Sequence, residues 1–276
     1  MRRRDRVTIA ESEGEVLQAD RRADIYESHR RELVNYATRL VVRESVAEEL
    51  AQEAALRLLQ DERLPDDEGQ IRAWLFRVVS NLAIDHLRRH STWKELVLVD
   101  ARERAVADPE FVAESQQMRG SPELAAIARE HLAVCFACTL RNLPPQQAAA
   151  LLLREVYGFS TAETAETLEA TAVQVKNWIQ QARRTMEERY AHTCALVTKQ
   201  GVCHQCVELD GFFNGQSRDP LDGTARNLEA RLAILRETRE AALGPWHRRM
   251  LRLVDEVLEG GAAGTRAPGT ARPESE

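Results

Sequence analysis

Apolar residues recur every three or four positions through most of this chain and seldom alternate with polar ones, so the pattern predicts an all-α fold. A first helical block is expected from about Asp24 to Val42, with Ile25, Leu33, Tyr36, Ala37 and Leu40 on one stripe. A second opens at Ser45, where Ser45 and Glu48 have capping-box spacing and Val46, Leu50, Ala54 and Leu58 repeat every four residues. Pro65 and Gly69 close it. The third, IRAWLFRVVSNLAIDHLRRH, carries Ile71, Trp74, Leu75, Val78, Val79, Leu82 and Leu87, enough apolar surface to dock on the first two.

Between about 91 and 122 the pattern weakens around Asp108-Pro109, Gly120 and Ser121-Pro122, which reads as a linker between independently mobile domains. A second helical cluster follows. One helix runs to about Arg141 and another from Pro145 to Tyr157, ended by Gly158. Two short helices then start at Ser160-x-x-Glu163 and Thr171-x-x-Gln174, separated by Leu168-Glu169-Ala170, which is a helix-turn-helix layout. The organisation is therefore a flexible tail (1–23), a helical domain (24–95), a linker (96–122), a helix-turn-helix domain (123–190), a mainly helical extension bearing cysteines (191–260) and a disordered tail (261–276) rich in Gly and Pro.

Among the 276 residues, 43% are hydrophobic and 30% charged, as in a globular protein, and an aromatic content of 5% leaves the cores to aliphatic side chains. No apolar run approaches the ~20 residues that span a bilayer, and no apolar stretch follows the basic start, so membrane insertion is not expected and the cytoplasm is the expected compartment. Five cysteines, an odd number, argue against a disulfide framework.

The net charge of −6 conceals a strong division. From Glu44 to Glu68 nine acids face two arginines, whereas from Ile71 to Lys94 five cations (Arg72, Arg77, Arg88, Arg89, Lys94) face only Asp85 and are interleaved with Trp74, Phe76 and Trp93. Cations with nearby rings suit opened DNA, the charges neutralising phosphates and the rings accepting unstacked bases. A core ring set beside a solvated basic face is the competing reading, and Trp74 fits it best. The helix after Thr171 presents Gln174, Lys176, Asn177, Gln180, Gln181, Arg183 and Arg184, amides and cations suited to base edges and phosphates in a major groove.

Cys203-x-x-Cys206, with Cys194 and His204 or His192, offers four ligands for tetrahedral zinc; a redox-active dithiol and plain burial are the alternatives. Cys135 and Cys138, beside Leu132 and Phe136 on one helix, read as core. No nucleophile–base pair, phosphate-binding Gly-rich loop or paired-acid constellation appears, so catalysis is not expected and no cofactor is required.

ESVAEELAQEAALRLLQ and IRAWLFRVVSNLAIDHLRR resemble region 2 of the extracytoplasmic-function sigma factors, and NLPPQQAAALLLREVYGFSTAETAETLEATAVQVKNWIQQARRTM resembles their region 4. The two resemblances come in the family's order and cover roughly residues 24 to 190. They imply a factor that binds core RNA polymerase and promoter DNA. Glu48, Glu49, Gln52 and Glu53 would dock on the polymerase clamp. Arg77, Asn81, Asp85, His86, Arg88 and Arg89 would sit at or beside a loop that traps a flipped base of the −10 element, with Asn81 reading a base, capping the next helix, or both. Thr171, Gln174, Lys176, Asn177, Gln180, Arg183 and Arg184 would read the −35 element.

The sequence also departs from the family. Trp178 and Gln181 stand where arginines are common, and Glu169 where glycine is frequent, which suggests a different turn. The extension beyond Tyr190 is expected to regulate by folding its stripes (Leu228, Leu232, Leu235; Leu251, Val254, Leu258) against region 2 or region 4, unless these helices only pair with each other. An anti-sigma factor partner stays open. A helix-turn-helix regulator that ignores polymerase and a thiol or metal sensor are the other two readings.

Overall fold

The computed structural model describes residues 2–61, 67–90, 96–118, 124–193 and 228–263, and every regular element among them is α-helical. Numbered along those residues, the helices are α1 (Arg2–Val41), α2 (Glu44–Gln60), α3 (Glu68–Arg89), α4 (Leu96–Ala107), α5 (Pro109–Met118), α6 (Leu124–Leu140), α7 (Pro145–Glu155), α8 (Thr161–Thr167), α9 (Ala172–Thr193), α10 (Leu228–Glu237) and α11 (Pro245–Ala263).

The first three helices form one bundle. The inward face of α2 is mostly small (Ala47, Ala51, Ala54) before Leu58, so α1 and α3 approach it closely and bury Leu33, Tyr36, Leu40, Ile71, Leu75 and Val79. Each large side chain removed from water this way contributes roughly 1.5–3 kcal/mol. Tyr36 Oη and Ser80 Oγ, both buried, lie 2.7 Å apart, and Ser80 also donates to the Phe76 carbonyl, so both hydroxyls are satisfied.

Several local expectations are corrected. Helix α1 begins at Arg2, where a flexible tail was expected; residues 2–13 contain neither Gly nor Pro. Ser45 does not cap α2. The chain turns immediately after α1 at Val42, which is left-handed (φ 59°), so the N-cap falls on Arg43 and Ser45 lies exposed in the first turn. The true cap of the acidic-to-basic passage is Asp67, whose carboxylate accepts from Gln70 N at 2.9 Å to start α3. The segment expected as a linker contains α4 and α5.

Helices α6 to α9 form the second bundle, filled by Leu132, Phe136, Leu140, Ala148 to Leu153, Val156, Val175, Ala182 and Met186. Cys135 and Cys138 are buried and outside any disulfide, as their apolar neighbours led us to expect. Gly158 takes φ 78° just after α7, a conformation glycine reaches without a Cβ clash. Ser160 then caps α8 in a full capping box: Glu163 N donates to Ser160 Oγ at 3.1 Å and Ser160 N donates to Glu163 Oε2 at 2.7 Å.

The two bundles are not separate bodies. Residues of α1–α3, α6–α9 and α10 share one continuous core, and a second core joins α4, α5, α6 and α11 to Val42. In this arrangement the faces that a free linker would leave exposed are covered by each other and by the extension.

Candidate nucleic-acid interface

Helix α3 runs without a break from Glu68 to Arg89, so the loop expected after WLFRVVSN is absent and Asn81 is mid-helix rather than an N-cap. What the helix provides instead is a straight exposed stripe. Arg77, Asn81, Asp85 and Arg88/Arg89 stand at successive three- or four-residue steps, spanning roughly 18 Å at 1.5 Å rise per residue. Asp85 is 3.7 Å from Arg88 and 3.9 Å from Arg89, exposed pairs worth little in water, so both guanidiniums are available for phosphates. His86 stacks on His90 with ring centroids 4.4 Å apart. Burial, then the neighbouring His90, Arg43, Arg141 and Arg89, push its pKa down to about 4, so it is neutral at pH 7.

Arg72 leaves the basic set. It forms a two-pronged pair with the buried Glu32 (Nε–Oε2 3.0 Å, Nη2–Oε1 2.8 Å) and lies over the rings of Phe76 and Phe159 at 4.8 and 4.9 Å. Trp74 is half-buried and packs against the core, as expected. Trp93 and Lys94 lie outside the described residues.

The second surface is the outer face of α9, where Thr171, Val173, Gln174, Lys176, Asn177, Gln180 and Arg184 are exposed. Four predicted members are already engaged, Arg184 in an exposed pair with Glu188 (Nε–Oε1 2.9 Å). Gln174 closes a capping box, its Oε1 accepting from Thr171 N at 2.8 Å while its own N–H donates to Thr171 Oγ1 at 3.2 Å. Arg183 pairs with Glu229 of α10 and with Glu155. Trp178 packs inward on the core, and Gln181 accepts from Gln147 Nε2 at 2.7 Å. Lys176, Asn177 and Gln180 therefore form the open polar face. Val173, 67% exposed beside them, was missed in the sequence; an apolar residue in the first turn of a capped helix, off the buried stripe, is the signal that could have found it. Its methyls suit a thymine methyl in a major groove.

The turn between α8 and α9 keeps the tight geometry that glycine usually supplies. Glu169 itself adopts φ 52°, so the expected change of turn does not occur; a side chain stands in the left-handed region instead. Its carboxylate reaches Arg77 of α3, Nη2–Oε1 3.0 Å.

A third surface lies on α2. Glu49 and Gln52 are exposed, whereas Glu48 pairs with Arg30 at 3.0 Å and Glu53 with Arg57 at 2.8 Å. Leu56 (55% exposed) and Leu59 (47%) continue the line of Glu49 and Gln52 by helical steps, giving an acidic and apolar face. The sequence pattern does not single out these leucines because they fall off the Val46–Leu58 stripe, which is the same reason they are exposed.

Residues 25–92 match the family described as Sigma-70 region 2, and residues 133–186 match Sigma-70, region 4. The chain carries both sigma-70 regions, in the order 2 then 4, and is similar to extracytoplasmic-function sigma factors. It is 28% identical over 194 residues to ECF RNA polymerase sigma factor SigG of Mycobacterium tuberculosis, covering 65% of this chain and 52% of SigG. Over 172 residues it is 29% identical to Probable ECF RNA polymerase sigma factor SigI of the same organism, covering 59% and 53% of the two chains. The match to ECF RNA polymerase sigma factor SigX of Bacillus subtilis is 23% over 159 residues, 55% of this chain and 74% of SigX. The chain thus spans about half the length of the two mycobacterial relatives.

In these terms α1–α3 are region 2, α6–α9 are region 4, and α10 and α11 belong to the extension. Cys194, Cys203, His204 and Cys206, the expected zinc ligands, lie outside the described residues. Among the described residues no group of three or more His, Cys, Asp or Glu is placed to hold a metal ion, and no helix is long and apolar enough to cross a membrane.

Proposed function

We propose that this protein is an RNA polymerase initiation factor, without catalysis of its own, that acts in the cytoplasm by docking on core polymerase and reading two promoter elements. The carrying observation is that one chain presents the stripe Arg77–Asn81–Asp85–Arg88–Arg89 on region 2 and the open face Lys176–Asn177–Gln180 on region 4, in the order the family requires. Region 2 contacts and helps melt the −10 element. The exposed amide of Asn81 both donates and accepts, and the flanking arginines hold phosphates. Region 4 reads the −35 element in the major groove through Asn177 and Gln180, with Lys176 and Arg184 on the backbone. Glu49, Gln52, Leu56 and Leu59 form the docking face for a basic, partly apolar polymerase surface, a refinement of the set Glu48, Glu49, Gln52 and Glu53 that leaves the ion-paired acids in support.

Flipping a base costs a few kcal/mol, which the assembled polymerase helps supply, so the isolated protein binds promoter DNA weakly. The test is co-purification with core RNA polymerase followed by run-off transcription. Binding with promoter-directed transcripts is expected, and Glu49→Lys with Gln52→Lys should abolish co-purification while leaving the helical content unchanged. Absence of binding by the unaltered chain refutes the proposal and leaves the helix-turn-helix regulator as the reading; binding without promoter-directed transcripts favours an interaction module.

A further inference from the structure

The arrangement of regions 2 and 4 has a direct geometric consequence. Names of −10 and −35 place the two elements about 25 base pairs apart, roughly 85 Å of B-form DNA at ~3.4 Å per base pair. In the structure the two DNA-directed surfaces are linked by a salt bridge, Arg77 of the −10 stripe lying 3.0 Å from Glu169 in the helix-turn-helix turn. Behind it Phe76 meets Phe159 and Tyr157 (centroids 5.0 and 5.2 Å), Tyr36 meets Tyr157 at 5.2 Å, and Arg39 Nη1 donates to Tyr157 Oη at 2.6 Å. A body this closed cannot touch both elements at once.

The extension holds that closed state from both sides. On region 2, Asn35 Nδ2 donates to the carbonyls of Arg239 (2.8 Å) and Ala241 (3.0 Å), Arg39 donates to the Thr238 carbonyl at 2.9 Å, and Arg43 pairs with Asp255 at 2.9 Å and with Glu259. On region 4, Arg236 binds the carbonyl and carboxylate of Glu155, Glu229 takes Arg183, and His247 Nδ1 lies 3.0 Å from Glu130. Arg249 gathers Asp108, Glu110 and Glu114 of the intervening segment. Apolar contact runs the same way: Leu228, Leu232 and Leu235 enter the core shared by both regions, while Trp246, Met250 and Val254 enter the second core.

Val42 ties this closure to backbone strain. A β-branched residue at φ 59° is strained, and here its side chain is fully buried in the cluster built around α11. The turn between the two helices that start region 2 is thus completed by the extension.

We infer that the extension is an intramolecular clasp that holds regions 2 and 4 closed, so that the factor is autoinhibited until the clasp is released. The inhibition acts through geometry. Glu49, Gln52, Leu56 and Leu59 on α2 and Lys176, Asn177 and Gln180 on α9 remain exposed in the closed state, so polymerase and the −35 element can be met singly, but simultaneous promoter contact requires opening. Opening also frees Arg77 from Glu169 for DNA. This inference rests on the proposed initiation function.

The test uses the full chain carrying Asp255→Arg with Glu259→Arg, which sets like charges against Arg43, and the same chain with Arg43→Glu added to restore opposite charges. Small-angle X-ray scattering of the free protein reports expansion, and run-off transcription with core polymerase at limiting factor reports activity. Expansion with a rise in transcript of about fivefold or more, both reversed by Arg43→Glu, is the expected result. A folded variant that does not expand, or that expands with unchanged transcription, overturns the clasp. Arg236→Glu, which opposes Glu155 on region 4, makes the same demand if the first variant does not fold. Failure of every form to bind polymerase refutes the initiation function; the scattering result, obtained without polymerase, separates that failure from failure of the clasp.

Discussion

Replacing Arg72 by methionine tests the closed packing at the partner of a buried carboxylate, Glu32. Glu32 is 7% exposed and Arg72 27%, and the guanidinium satisfies both carboxylate oxygens at 2.8–3.0 Å while donating to the Tyr157 carbonyl at 3.3 Å. Methionine keeps an apolar stem against Phe76 and Phe159 but leaves Glu32 with the His29 side chain, Nδ1 3.8 Å away, and the Arg239 charge. Stranding one member of a buried pair costs about 3–5 kcal/mol, whereas replacing both by apolar groups costs far less. Arg72→Met should therefore destabilise by that amount in urea unfolding followed by circular dichroism, and Glu32→Leu with Arg72→Met should recover at least half of it.

The pH dependence supplies a second arm. Burial alone would raise the Glu32 pKa, but hydrogen bonds from His29 and Arg72 and the Arg72 charge outweigh it and bring the group from its ordinary 4.5 to about 2. A carboxylate depressed by folding lends stability that is fully present above pH 4.5 and is lost as pH falls toward 2, at most about 3 kcal/mol for such a shift. The advantage of the natural chain over Arg72→Met should shrink across that window. A single-variant loss below about 1 kcal/mol, or a difference that ignores pH there, would refute the assignment of Arg72 as structural.

Two further outcomes follow from the helix-turn-helix. Glu169→Gly removes a side chain from the left-handed region and also the Arg77 pair, a strain of about 1 kcal/mol against an exposed ion pair of about 0–1 kcal/mol. Thermal stability should be unchanged or slightly higher, and a clear loss in melting temperature would show the carboxylate to be structurally required. With assembled polymerase, Lys176→Ala should weaken promoter binding evenly across sequences and lower the salt slope by about one, while Asn177→Ala should relax preference at one base pair by about 1–3 kcal/mol. The opposite pattern in a binding titration over promoter variants would reverse their roles.

Much of the local structure was legible because its causes are local. The capping boxes at Ser160 and Thr171 and the left-handed Gly158 each depend on residues within four positions, and all formed where their spacing placed them. Ser45 failed for a non-local reason. The chain turns at Val42 because that side chain fills a core made with α11, about 200 residues later, and the cap moves to Arg43. Asn81 was placed at a helix break by resemblance, yet nothing in its neighbourhood breaks a helix, and α3 runs on.

The sequence by itself determined that this protein is all-helical, that it carries acidic, basic and helix-turn-helix segments in a fixed order, and that it resembles a sigma factor. Periodicity, caps and charge runs are written within a few residues of one another, so they can be read along the chain. Only the tertiary structure decided which charges are free. Arg72 is consumed by Glu32, Arg183 by Glu229, and Arg77 is held by Glu169, while Lys176, Arg88 and Arg89 face solvent. Whether two sigma regions stand apart or close on each other depends on what covers their faces, and the covering helices, α10 and α11, lie far along the chain, where pairing across long separations leaves no periodic mark.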